Sequence, residues 1–124
     1  MVQEAGADRL RLSDTTGRLM PEQYQNIVRA VKEVSTIDLQ CHAHNDFGFA
    51  LANTIAAIEA GVKYFHVTVN GVGERAGMPD FAQVVLALHR FYDVDLGINL
   101  GKLTELSRIV EKHTKTTLYP WHPV

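Results

Sequence analysis

Three stretches of alternating apolar and polar residues, 8–13, 37–44 and 63–70, are each followed by apolar residues at helical spacing, and this limits what the chain can fold into. In a strand, alternation separates two unlike faces. Leu10 and Leu12 oppose Arg9, Arg11 and Ser13. Ile37, Leu39, Cys41 and Ala43 oppose Asp38, Gln40, His42 and His44, and Phe65, Val67 and Val69 oppose Tyr64, His66, Thr68 and Asn70. Between and after these stretches, helices are expected from Pro21 to about Val34, from Phe49 to Ala60 with a stop at Gly61, and from Pro79 to about Tyr92. A last one is expected from Lys102 to His113, with Leu103, Leu106, Ile109 and Val110 inward. The order β-α-β-α-β-α-α calls for parallel strands joined by crossover helices. The strand ends Asp14, His44 and Asn70 recur about every thirty residues, the length of one unit in an eight-unit barrel of ~250 residues.

The expected fold is therefore α/β: a partial TIM (β/α)8 barrel of about three βα units with parallel strands, plus a C-terminal helix. Three parallel strands are too few to close a barrel and leave open sheet edges. Residues 1–124 read as a piece of one barrel domain, with 115–124 as an irregular tail. Residues 1–7 read as the last turn of a helix closed by Gly6, so the chain is expected to start inside an element.

Composition narrows the partners. A net charge of −2, with 21% charged and 46% apolar residues and no like-charge run, offers no basic field for nucleic acid or an anionic membrane. No run of eighteen apolar residues occurs, and the first twenty residues carry charges throughout, so neither a membrane span nor a signal core is expected. A single cysteine, Cys41, excludes an internal disulfide framework and fits a cytoplasmic location. It lies on the apolar strand face, where burial is expected rather than reactivity.

The polar residues gather just after each strand, where α/β proteins of barrel and open-sheet kind place their sites. His42 and His44, one residue apart on a strand, point the same way and form a pair of metal ligands for zinc, manganese, iron or cobalt. Alone, such a pair could equally be two hydrogen-bonded polar residues. Asn45 and Asp46 follow, placed to orient the rings or a substrate. His66 reads as a satisfied lumen histidine. Asp14-Thr15-Thr16-Gly17 is a turn whose Thr15 can offer a hydroxyl and an N–H to a carboxylate. The loop from Gly71 through Gly73, Glu74 and Arg75 to Gly77 allows backbone to approach an anion or thioester before a helix N-terminus.

Taken together, Ser13-Asp14-Thr15-Thr16-Gly17, His42-Ala43-His44-Asn45-Asp46-Phe47-Gly48, Ala52-Asn53-Thr54, Ala60-Gly61 and Thr68-Val69-Asn70-Gly71-Val72-Gly73-Glu74-Arg75-Ala76-Gly77 resemble the 2-isopropylmalate synthase and homocitrate synthase family of metal-dependent TIM barrels. The resemblance implies an acyltransferase that condenses acetyl-CoA, as co-substrate, with a 2-oxo acid held at a divalent metal (Mg, Mn, Zn or Co). It implies that residues 1–124 are part of one catalytic barrel domain, its last three βα units, with His42 and His44 as metal ligands and Glu74 as the catalytic residue on the acetyl-CoA side. Thr15, Arg11, Asn45, Thr68, Asn70 and Gly73 are the expected substrate-binding residues. Met78 stands where many members of the family have an Asn near the metal, and the first-strand Arg, Asp and Glu of the family are not in this chain. The 124 residues alone are therefore expected to be inactive, with the remainder of a barrel or another copy, as a homo-oligomer, as partner. Two other readings are an HMG-CoA lyase-like or carboxyltransferase barrel, and a non-catalytic piece that assembles through its open sheet edges.

Overall fold

The computed structural model describes residues 2–124. Arg9–Asp14 forms β1, Asp38–Ala43 β2 and Tyr64–Phe65 β3, all parallel in the order β1-β2-β3. Helices α1 (Pro21–Val34) and α2 (Ala50–Glu59) are the crossovers, and α3 (Phe81–Tyr92) and α4 (Leu103–Thr114) follow. This is the expected partial barrel, with element ends within one residue of expectation except in two places.

The first exception is the third strand. Only Tyr64 and Phe65 pair with β2 as a ladder, although His66 N–H still reaches Cys41 O at 3.0 Å. The ladder stops at Phe65 although β2 runs two residues past its partner Cys41, to Ala43. The chain bonds instead to its own return, Thr68 N–H to Pro79 O at 3.1 Å and Phe81 N–H to Thr68 O at 2.9 Å. Asn70 then adopts a left-handed conformation, φ 62°.

The second exception is α3, which starts at Phe81 and not at Pro79. Asp80 is its N-cap, its carboxylate accepting from Ala82 N–H at 3.3 Å. That helix end is already supplied with negative charge, which removes it as the expected anion site.

The core lies where the apolar strand faces meet the helices. Leu39, Cys41 and Ala43 of β2 are buried with Tyr24 and Val28 of α1 and Ala57 and Ala60 beside α2. Small residues on α2 let it lie close to both sheet and α1. Of the residues expected inward on the last helix, Ile109 is 49% exposed. At the chain start, Gly6 N–H to Gln3 O and Ala7 N–H to Val2 O, with φ 84° at Gly6, are the bonds of a helix C-terminus, as expected for residues 1–7. Met1 lies outside the described residues. Among the described residues no helix is long and apolar enough to cross a membrane.

Candidate functional site

The polar strand face is layered. At its base the Arg9 guanidinium lies 4.1 Å from the centre of the Tyr64 ring. Arg11 stands one pleat above, in register with Gln40, and Ser13 above that, in register with His42. His44 follows the end of β2, so both histidines sit at the C-terminal end of the sheet.

Tyr24 fixes this end from behind. Its hydroxyl donates to Leu12 O at 2.7 Å and accepts from His42 N–H at 3.2 Å, tying β1 to the backbone that carries the first histidine. Burial, with a smaller contribution from Cys41, pushes its phenol pKa up. The helical spacing placed Tyr24 in the core; nothing in it signalled that a core tyrosine would anchor a site residue.

His42 Nε2 and His44 Nε2 are 3.2 Å apart. Two imidazole nitrogens at about 2.1 Å from one metal ion are about 3.2 Å apart when they subtend about 100° there, so the spacing fits two positions of a coordination sphere. On the other edge of the ring, His42 Nδ1 is 2.9 Å from His66 Nδ1. A proton on His42 Nδ1, donated to His66, leaves the His42 Nε2 lone pair free, which is the tautomer a ligand needs. Burial first, then the neighbouring His66, His44 and Arg11, hold the His42 pKa below its ordinary value. Burial and Arg11 do the same for His66, so the protein disfavours the charged form of both rings. His44 is buried and its Nδ1 has no hydrogen-bond partner among the described residues. Among those residues no group of three His, Cys, Asp or Glu is arranged around one point, so the pair would need ligands from other atoms.

Three loops lock together above the pair. The Asp14 carboxylate accepts the N–H groups of Arg18 and Leu19, both at 3.0 Å, and its carbonyl accepts from His44 N–H at 3.1 Å. Arg75 forms a two-pronged pair with Asp46 at 2.6 and 2.9 Å and donates to Thr15 O at 2.6 Å. That hydrogen bond holds the Asp46 carboxyl below the usual carboxylate range. Gly17 has φ 61°, and a side chain there would meet Asp46 N at 2.7 Å and His44 O at 2.8 Å. Arg75 did not stand out in the sequence as a brace, since its contacts join loops 29 and 60 residues apart.

A cleft of about 480 Å³ opens beside the histidines, bordered by His42, His66, Thr68, Gly73, Glu74 and Met78. Thr68 Oγ1 there is buried and has no partner among the described residues. Glu74 is exposed and close enough to His42 to favour its charged form. Gly73 is bare because Met78 Cγ and the Gly77 backbone take the space, at 3.0 and 3.2 Å from where a Cβ would sit. Two expected substrate residues have their side chains engaged elsewhere: Asn45 accepts from Ala50 N–H at the start of α2, and Asn70 donates to Ser107 O of α4, at 3.1 and 3.0 Å. Thr15 is exposed at the top of the site. Cys41 is buried on the opposite face, and burial pushes its thiol pKa to about 12.

The chain is 60% identical over all 124 residues to a 2-phosphonomethylmalate synthase from Streptomyces rubellomurinus, and covers 33% of it. Over 110 residues, 89% of the chain, it is 47% identical to a homocitrate synthase from Methanothermobacter thermautotrophicus, of which it covers 28%. It thus spans a third or less of these curated relatives. The solved HMG-CoA lyase of Bacillus subtilis superposes with a TM-score of 0.84 over 97% of this chain and 42% of that one, at 24% identity, which shows the fold. A family model described as HMGL-like matches residues 1–110, and with the partial barrel and its paired histidines the chain belongs to the HMGL-like family.

Proposed function

We propose that these residues supply the metal-binding part of an enzyme that joins acetyl-CoA to a 2-oxo acid. The 3.2 Å approach of His42 Nε2 and His44 Nε2 beside the Glu74 cleft carries this reading. The names of the relatives support it. 2-Phosphonomethylmalate and homocitrate are both 2-hydroxy acids with a carboxymethyl group on the hydroxyl-bearing carbon. Such a product arises when an acetyl methyl carbon adds to the ketone carbon of a 2-oxo acid.

A divalent ion bound by His42 and His44 would supply Lewis-acid polarisation of the ketone. The chain's own groups do the rest of the positioning. Thr15 offers its hydroxyl to the carboxylate of the oxo acid, on a peptide whose carbonyl Arg75 fixes. Thr68 offers a desolvated hydroxyl, and the backbone at Gly73 lines the thioester side. Glu74, facing the same cleft, takes or relays the proton leaving the acetyl methyl group as the new C–C bond forms. The ketone oxygen gains a proton, and water then splits the thioester to release CoA. The open outer edges of the sheet are where the remainder of the barrel, or a second copy, would pair.

The test is a hybrid in which these 124 residues replace the matching third of the Streptomyces synthase. Acetyl-CoA-dependent release of thiol with a 2-oxo acid and Mg²⁺, Mn²⁺ or Zn²⁺ is expected, falling at least ~100-fold with Glu74→Gln. The 124-residue chain alone should release none. A hybrid that folds yet releases no thiol with any 2-oxo acid contradicts the proposal.

A further inference from the structure

Arg11 is the charged group of the polar strand face that the site so far leaves without a task. It is exposed on β1, in register with Gln40 and one pleat, about 6.6 Å, below the level of Ser13 and His42. The neighbouring cations are engaged: Arg9 lies over the Tyr64 ring, Arg75 holds Asp46 and Thr15, and Lys63 pairs with Asp38 at 2.7 Å. Arg11 has no hydrogen bond or ion pair to any described residue. The acidic groups near this face are committed or distant in role. Asp14 is spent on the Arg18 and Leu19 N–H groups, and Asp46 on Arg75. A planar fork of five donors on the lumen side, in the same register row as Gln40 and Tyr64 and with Arg9 one pleat below, matches a planar or tetrahedral anion rather than an alkyl group.

We propose that Arg11 selects 2-oxo acids whose side chain ends in a second acidic group, a phosphonate or a carboxylate, by receiving that group below the histidine pair. This rests on the condensing reading and names its substrate class. The oxo acid would stand along β1, its carboxylate toward Thr15 at the top, its ketone level with His42 and His44, and its distal anion on the guanidinium. An uncharged branched side chain would leave the guanidinium without a partner and lose the charge-assisted bonds.

Equilibrium binding to the full chain in the presence of Mg²⁺ tests this, with 3-phosphonopyruvate, 2-oxoglutarate and 2-oxoisovalerate as probes. The two acidic acids are expected to bind at least about tenfold more tightly than 2-oxoisovalerate, the strength of one charge-assisted hydrogen bond. Arg11→Asn should bring the ratio close to one, and Arg11→Lys should keep part of it. Amide shifts in isotope-labelled protein should centre on Arg11 and Gln40. The ranking of the two acidic acids tells phosphonate from carboxylate. Equal affinity for all three acids, no binding of the acidic pair, or a ratio unchanged in Arg11→Asn overturns the proposal. Its failure is separable from that of the condensing reading: thiol release by the hybrid without acidic selectivity defeats only the Arg11 assignment, whereas selective binding without thiol release defeats only the reaction.

Discussion

At the scale of single residues, the site depends on groups that hold the histidines rather than on the histidines alone. Replacing Tyr24 by Phe removes one oxygen and leaves His42 N–H and Leu12 O without their hydroxyl partner. The expected loss is about 1–3 kcal/mol in denaturant unfolding, with little change in the dependence on denaturant. His66→Leu removes the acceptor facing His42 Nδ1 and should weaken metal binding about 10–100-fold by Co²⁺ titration while thermal stability changes little. Cys41, its thiol pushed up to about 12, should resist a thiol reagent at pH 8 in the native protein and react at once on unfolding. The strand alternation already placed Cys41 and the histidine pair on opposite faces. It could not show which ring nitrogen meets which neighbour, because that depends on side-chain rotation between strands. Tyr24 illustrates the same limit, since a core position in a helix says nothing of where its hydroxyl ends.

At the scale of elements, the sheet and helices follow from local patterns, while the loops are set by contacts between segments far apart in sequence. β1, α1 and β2 are legible because period-two and helical spacing are both local signals. β3 was not fully legible, since its apolar alternation continues to Val69 but the ladder ends at Phe65 and Thr68 bonds to Pro79 and Phe81 on the returning chain, a contact no local pattern signals. The loops after the three strands meet through Asp46, Arg75 and Thr15, and this clamp has a pH signature. The Asp46 carboxyl is held below its unfolded value by Arg75, so its contribution is present above the ordinary aspartate range and is lost as pH falls through the depressed value. Acid titration followed by NMR should show the Asp46 carboxyl protonating below the ordinary aspartate range, and Arg75→Gln should return it to that range. Gly17→Ala should displace the Thr15 loop from the Asp46 and His44 backbone, lowering the thermal midpoint by several degrees.

At the scale of the whole molecule, three parallel strands covered by helices on one side leave a polar face and two sheet edges open. That geometry has a use when the open face is the lumen of a barrel and the strand ends carry a metal, which is how the HMGL-like family membership and the paired histidines fit together. The motifs made the family visible in the sequence because the residues at the three strand ends occur in a fixed order. They did not show that Asn45 and Asn70 would be held by α2 and α4, since those bonds depend on where the strand-end side chains turn and on how α4 packs against the loop. The central claim is that His42 and His44 together bind one divalent ion. Titration of the full chain with Co²⁺, read by its visible absorption and by equilibrium dialysis, tests it most directly. One ion per chain is expected, with His42→Ala and His44→Ala each weakening binding at least about tenfold while the fold persists by circular dichroism. Binding as tight in both variants as in the unaltered chain would contradict it.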